Sequence, residues 1–256
     1  MSKRICIWCR KDSSKATFNN LAHTIPKAIG GTDICQNVCD ECNHYFGNGH
    51  NGIPAVETTF KETFNISRAR FLSADNEIGK NKALSHFKSI YFNVNFKKGT
   101  IDLKPAFKIR HSFQVDICRQ LKKGLYKVYL EETERQNMNA LDGKYDFIRE
   151  YSRYNIGDYP IFYFPRKVPI IFNVKGEAKH PKFHFSNQME FQIKDYCFFE
   201  FEFLGHMFSL PISRNYNLML DDYWEKTNEV KKMFFHKAIV LKYLTDIDLT
   251  LRIMND

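Results

Sequence analysis

The chain has 256 residues, 43% of them hydrophobic, with 24 Phe and 13 Tyr; this is ample for a packed core and too apolar for a disordered chain. No apolar run reaches the ~20 residues of a membrane helix, and the opening MSKRICIWC lacks the apolar stretch of a secretory signal, so a cytoplasmic protein without membrane contact is expected. The 38 Lys and Arg outnumber the 29 Asp and Glu, giving a net charge of +9 that favours a polyanionic partner over an acidic or neutral one.

In chain order, the first feature is Cys6-Ile-Trp-Cys9, matched thirty residues on by Cys39-Asp-Glu-Cys42. Two close thiolate pairs supply four soft ligands to one tetrahedral Zn²⁺ and leave no open position, so this zinc is structural. The other three cysteines, Cys35, Cys118 and Cys197, are scattered, which argues against a disulfide framework. Between the pairs, Thr17–Ile25 reads as a first strand with His23 near its end. Pro26 stops that strand because it has no N–H, and Gly30-Gly31 permits a turn. A second short strand is expected at about Ile34 to Val38. A helix follows from about Asp40 to Gly47, its first turn carrying Asp40 and Glu41 where the helix dipole favours acids. Asn43 comes directly after the last zinc cysteine.

In this order of parts the first fifty residues resemble the HNH endonucleases, whose core is a treble-clef ββα-metal unit, and in particular the zinc-bearing, phage endonuclease VII-like kind. The resemblance implies that His23 is the general base and that Asn43 is a helix ligand of a catalytic Mg²⁺ or Mn²⁺. Asn37 falls at the middle asparagine, where it shapes the loop and orients His23. Before the base the family carries Asp, Glu or His, and this chain has Ala22, which offers no donor atom. Three readings of that difference stay open. Glu57, His44 or His50 substitutes; or phosphate oxygens and water complete the metal shell; or the nuclease is inactive. Taken without the resemblance, His23 is a half-buried histidine bonded to backbone, Asn43 a helix cap, and the four cysteines a zinc ribbon.

Residues 48–56 read as a Gly- and Asn-rich loop. Glu57 to Leu72 has helical spacing of Phe60, Phe64, Ile66 and Phe71, and its basic side, with Arg68 and Arg70, joins Lys27 as a candidate nucleic-acid contact. Residues 73–82 are polar and make the best boundary. Beyond them, a hairpin is expected across Tyr91–Phe96 and Ile101–Leu103, then helices over Phe113–Arg135 (with Gly124 a weak point) and Asp146–Tyr154. Strands follow at Ile161–Phe164, Val168–Val174, Lys182–Phe185, Glu190–Ile193, Phe198–Leu204 and Met207–Ile212, then a helix over Asp222–Phe235. No phosphate-binding Gly loop, nucleophile elbow or His-Glu-x-x-His motif occurs there.

The expected fold class is α+β. A zinc-bound ββα-metal (HNH) module over residues 1–55 is followed by a helical connector and linker over 56–82. Residues 83–256 form a mixed, largely antiparallel α+β domain for targeting a substrate or partner. The expected function is metal-dependent hydrolysis of DNA, with RNA left open, in a setting such as restriction or anti-phage defence. The alternative is a zinc-dependent module that binds nucleic acid or a partner without cleaving. Self-association or a partner protein would engage the C-terminal domain.

Overall fold

The computed structural model describes residues 4–50, 52–74, 87–95, 98, 100–136, 139–168, 178–183 and 197–249. None of the described helices is long and apolar enough to cross a membrane. The class is α+β, with helices and antiparallel sheets in one chain.

The N-terminal hairpin is shorter than its sequence pattern suggests. Strand β1 (Ala22–His23) pairs antiparallel with β2 (Ile34–Cys35), Ala22 opposite Cys35. The preceding residues satisfy their polar groups elsewhere. The Thr17 carbonyl accepts from the N–H of Asp40, and the Asp40 carboxylate accepts from the N–H groups of Asn19 and Asn20. A backbone already bound to a helix N-terminus has no groups left for a ladder. After β1 a 3-10 turn over Lys27–Ile29 ends at Gly30, whose φ of 91° suits only glycine without strain. Helix α1 (Asp40–Gly47) has the expected bounds and buries Cys42 and Phe46, with the Phe46 ring 4.7 Å from that of Trp8.

Helix α2 (Val56–Ala74) lies along the 25-residue α3 (His111–Arg135). Gly124 was expected to weaken α3, but it is where α3 takes the Phe60 side chain of α2. A Cβ there would lie 2.9 Å from the Phe60 ring, so an added methyl group would require that side chain to shift. The hairpin of β3 (Phe92–Asn95) and β4 (Thr100–Leu103) stands where expected. Helix α4 (Asp146–Tyr154) matches its expected bounds and ends on Asn155 in the left-handed region, which Asn tolerates.

Strands β5 (Phe162–Phe164), β6 (Phe198–Phe203), β7 (His206–Pro211) and β8 (Ile239–Val240) form an antiparallel sheet in the order β6-β7-β5-β8. Both faces are covered. On one, Phe203 and Phe208 meet Phe64 of α2 at 4.9 and 5.9 Å between rings. On the other, helix α5 (Leu220–Lys231) lays Tyr223 against Phe198 at 4.0 Å. For this reason Glu200, which alternates with phenylalanines and reads as solvent-facing, is buried instead. It accepts from Tyr223, Thr227 and Lys231 on α5. Residues 75–82, most of Val168–Val174, Phe185 and Glu190–Ile193 lie outside the described residues.

One apolar core runs from Trp8 and Phe46 through Phe60 and Leu121 to Phe208, so the zinc-bearing segment and the larger part of the chain share it. At ~1.5–3 kcal/mol for each fully buried large side chain, that shared core holds the hairpin and α1 against α2 and α3.

Candidate active site and metal centre

The four sulfurs of Cys6, Cys9, Cys39 and Cys42 lie within 4.8 Å of one another, and those of Cys9 and Cys39 are 3.6 Å apart. A tetrahedral zinc with Zn–S bonds of about 2.3 Å needs such spacings, so the donor set fits Zn²⁺. Polar groups already face the sulfurs: the Cys39 N–H points at Cys6, and Arg153 Nε on α4 donates to Cys42 at 3.4 Å. A hydrogen bond from Cys42 lowers the Cys6 thiol to about 5; burial opposes it, and the N–H groups of Cys39, Cys9 and Trp8 assist. The same hydrogen bond and burial push the Cys42 thiol up, so the pair shares one proton unevenly.

Helix α1 divides its eight residues between two jobs. Cys42 and Phe46 face the interior, whereas Asp40, Asn43, His44 and Gly47, spaced three and four apart, line a cleft of about 460 Å³. Leu21 and His23 of the hairpin, Lys27 of the 3-10 turn and Glu57 of α2 complete its walls. Four expected site residues, His23, Asn43, Glu57 and Lys27, thus meet in one cleft, as does His44.

The other expected residues lie elsewhere. Asn37 does not line the cleft: its amide donates to Glu134 on α3 at 2.6 Å, and its carbonyl accepts from the Ile7 N–H. The side chain of Arg68 is turned to the carbonyls of Ala178 and Lys179, which it bonds at 2.8 and 3.3 Å, so it is not an open phosphate contact. Arg70 is half-buried away from the cleft; burial lowers its pKa and Asp248 partly offsets this. His50 stacks on Tyr45 outside the cleft. Ala22 is only 1% exposed and faces the core, so the residue before His23 that borders the cleft is Leu21.

Beneath the hairpin lies a feature with no sequence signal. Lys127 of α3 is fully buried, and its ammonium donates to the His23 carbonyl at 2.7 Å and to Glu131 at 2.9 Å; it also pairs with Glu57 at 3.3 Å. Glu131 in turn accepts from Trp8 Nε1, inside the first cysteine pair. Burial lowers the pKa of Lys127, but Glu131 and Glu57 outweigh it and the net shift is upward, so the amine stays charged. Burial raises Glu131 to about 7 against the pull of Lys127. The sequence shows Lys127 and Glu131 as a helical i,i+4 pair, which ordinarily marks a solvated face.

A four-thiolate centre, a hairpin bearing a histidine and a helix bearing an asparagine together define a zinc-anchored ββα module. Residues 6–52 match the model of the HNH endonuclease family, so this segment is similar to a nuclease-type HNH module, and its four cysteines fit a zinc-binding site. Neither a curated protein nor a solved structure matches the chain.

Proposed function

We propose that the cleft hydrolyses phosphodiester bonds in DNA, with His23 as general base and a Mg²⁺ or Mn²⁺ held by Asn43 and Glu57. The observation that carries this reading is the convergence of His23, Asn43, Glu57 and Lys27, from four separate segments, on one cleft. An amide oxygen and a carboxylate are hard donors that suit Mg²⁺, with waters in its remaining positions. Such an ion supplies charge stabilisation to the attacked phosphate and the leaving oxygen.

The chain's own residues do the rest. The His23 imidazole takes a proton from water, and the oxygen so activated attacks phosphorus in line with the leaving 3′-oxygen; general bases of this kind contribute roughly 10²–10⁴ in rate. Glu57 stands where the missing donor at position 22 cannot, its side chain 27% exposed and open to the cleft on one side. Exposed Lys27 at the wall attracts the phosphate. Lys127 fixes the His23 carbonyl from below and thereby the height of the base over the cleft.

The test is nicking of supercoiled plasmid with Mg²⁺ or Mn²⁺, wild type beside His23→Ala and Glu57→Gln, each checked for zinc content. Nicking by the wild type that falls at least 100-fold in His23→Ala supports the assignment, as does a raised metal requirement in Glu57→Gln. Equal nicking by His23→Ala would falsify it. Binding without cleavage under every divalent ion would favour a zinc module that only binds, the reading that the donorless Ala22 supports.

A further inference from the structure

We propose that Lys179 and Lys182, with His180 between them, form a phosphate-binding ridge that continues the cleft wall from Lys27 and holds the backbone of duplex DNA. The proposal rests on the nuclease reading for its ligand class but not for its geometry. Residues 178–183 (AKHPKF) are anchored at three points. Arg68 binds the carbonyls of Ala178 and Lys179. Gly30, at the end of the turn that carries Lys27, lies so close that a Cβ on it would sit 2.3 Å from the Lys179 carbonyl oxygen. Phe183 is buried with its ring 4.4 Å from that of Phe201 in the sheet.

Anchoring through backbone and apolar groups leaves the charged ends outward. Ala178, Pro181 and Phe183 are buried, whereas Lys179, His180 and Lys182 are exposed. Among the described residues, no ion pair or side-chain hydrogen bond holds Lys27, Lys179 or Lys182. The close contact of Gly30 with Lys179 sets the ridge directly beside the turn of Lys27, which lines the cleft. Three exposed cations on adjoining segments beside the cleft suit a polyanion whose phosphates recur along it, and a backbone held at three points limits the ordering lost on binding. Arg68 serves this surface from behind: it positions the ridge and does not touch DNA.

The experiment measures binding of a fluorescent 20-base-pair duplex without Mg²⁺, so that nothing is cleaved, from 50 to 300 mM salt. Lys179→Ala/Lys182→Ala is compared with the wild type. Lys232→Ala/Lys237→Ala, on the α5 side of the sheet, is the control, because it removes the same net charge. The ridge variant should bind about 10-fold or more weakly at 100 mM salt, with a log–log salt slope shallower by about two, while the control keeps wild-type affinity and slope. Equal weakening in both variants would show a net-charge effect and overturn the proposal, as would no change in the ridge variant or preferential binding of duplex RNA. The nuclease reading fails separately: a wild type that binds through these lysines but never nicks plasmid keeps the ridge and loses the catalysis. One that nicks while the ridge variant binds unchanged does the reverse.

Discussion

Replacing Lys127 by Met tests whether the hairpin rests on a buried charge. The substitution keeps most of the apolar stem and removes the ammonium that reaches the His23 carbonyl at 2.7 Å, Glu131 at 2.9 Å and Glu57 at 3.3 Å. Glu57 has access to water, but Glu131 is fully buried and would be left without its counter-charge, forced either to stay unpaired or to take up a proton. Removing one partner of a buried ion pair costs ~3–5 kcal/mol, against a total stability of about 5–15 kcal/mol for a typical protein. Lys127→Met should therefore lower urea stability by about that amount. Trp8, whose Nε1 donates to Glu131, reports the change by fluorescence. Adding Glu131→Gln removes the orphaned charge while keeping an acceptor for Trp8, so the double variant should recover most of the lost stability. It should still nick plasmid at least 10-fold more slowly than Glu131→Gln alone, because nothing then holds the His23 carbonyl. The reasoning is refuted if Lys127→Met stays within ~1 kcal/mol of wild type, or if the double variant is no more stable than the single.

Two further outcomes follow from buried groups. Purified protein should carry about one zinc per chain, and Cys39→Ser should release it and unfold residues 4–50, since such sites contribute on the order of 10 kcal/mol; metal-free protein that is freshly reduced and folded would contradict the site. His206 is fully buried, shares a hydrogen bond of 2.7 Å between its Nε2 and the Ser67 hydroxyl and approaches Tyr163; burial pushes its pKa down to about 3, with Asp248 raising it and Arg166 lowering it. The unfolded chain then takes this proton first, so the contribution is full above pH 6.5 and falls by ~1.4 kcal/mol per pH unit as pH drops towards 3. Between pH 6.5 and 4.5, His206→Gln should lose about 2 kcal/mol less than wild type. Parallel stability curves over that window would exclude the effect.

What the sequence disclosed depended on how local each signal was. The cysteine pairs, the bounds of α1 and α4 and the β6–β7 hairpin all rest on neighbours within a few residues, and the structure keeps them. The convergence of His23 with Asn43 was legible because the zinc pairs fix the loop between them. Glu57 was reachable only as the next carboxylate in line. Asn37 and Arg68 lie away from the cleft for one reason. A polar side chain on a pattern reads as free, whereas here a partner about a hundred residues away claims Asn37 and another claims Arg68: Glu134 for the first and the carbonyls of 178–179 for the second. Lys127 and Glu131 were hidden by the opposite error, because charge at helical spacing imitates a wet face while the structure covers it with the hairpin. Glu200 repeats the case on a strand.

These long-range ties bear on how the module works. A zinc unit of about fifty residues buries little by itself, and the polar groups it leaves over point at α3 and α4. Trp8 reaches Glu131, Asn37 reaches Glu134, the His23 carbonyl meets Lys127, the Ile7 carbonyl accepts from Arg149 at 2.6 Å, and Cys42 receives Arg153. The two helices thus form the floor on which the strand bearing His23 and the four-cysteine site stand. Because α3 also packs Gly124 against α2, which carries Glu57, His23 and Glu57 are positioned by the same helix. A displacement of α3 would move both sides of the cleft together, and α2, α3 and α4 are therefore part of the cleft's geometry as well as its neighbours.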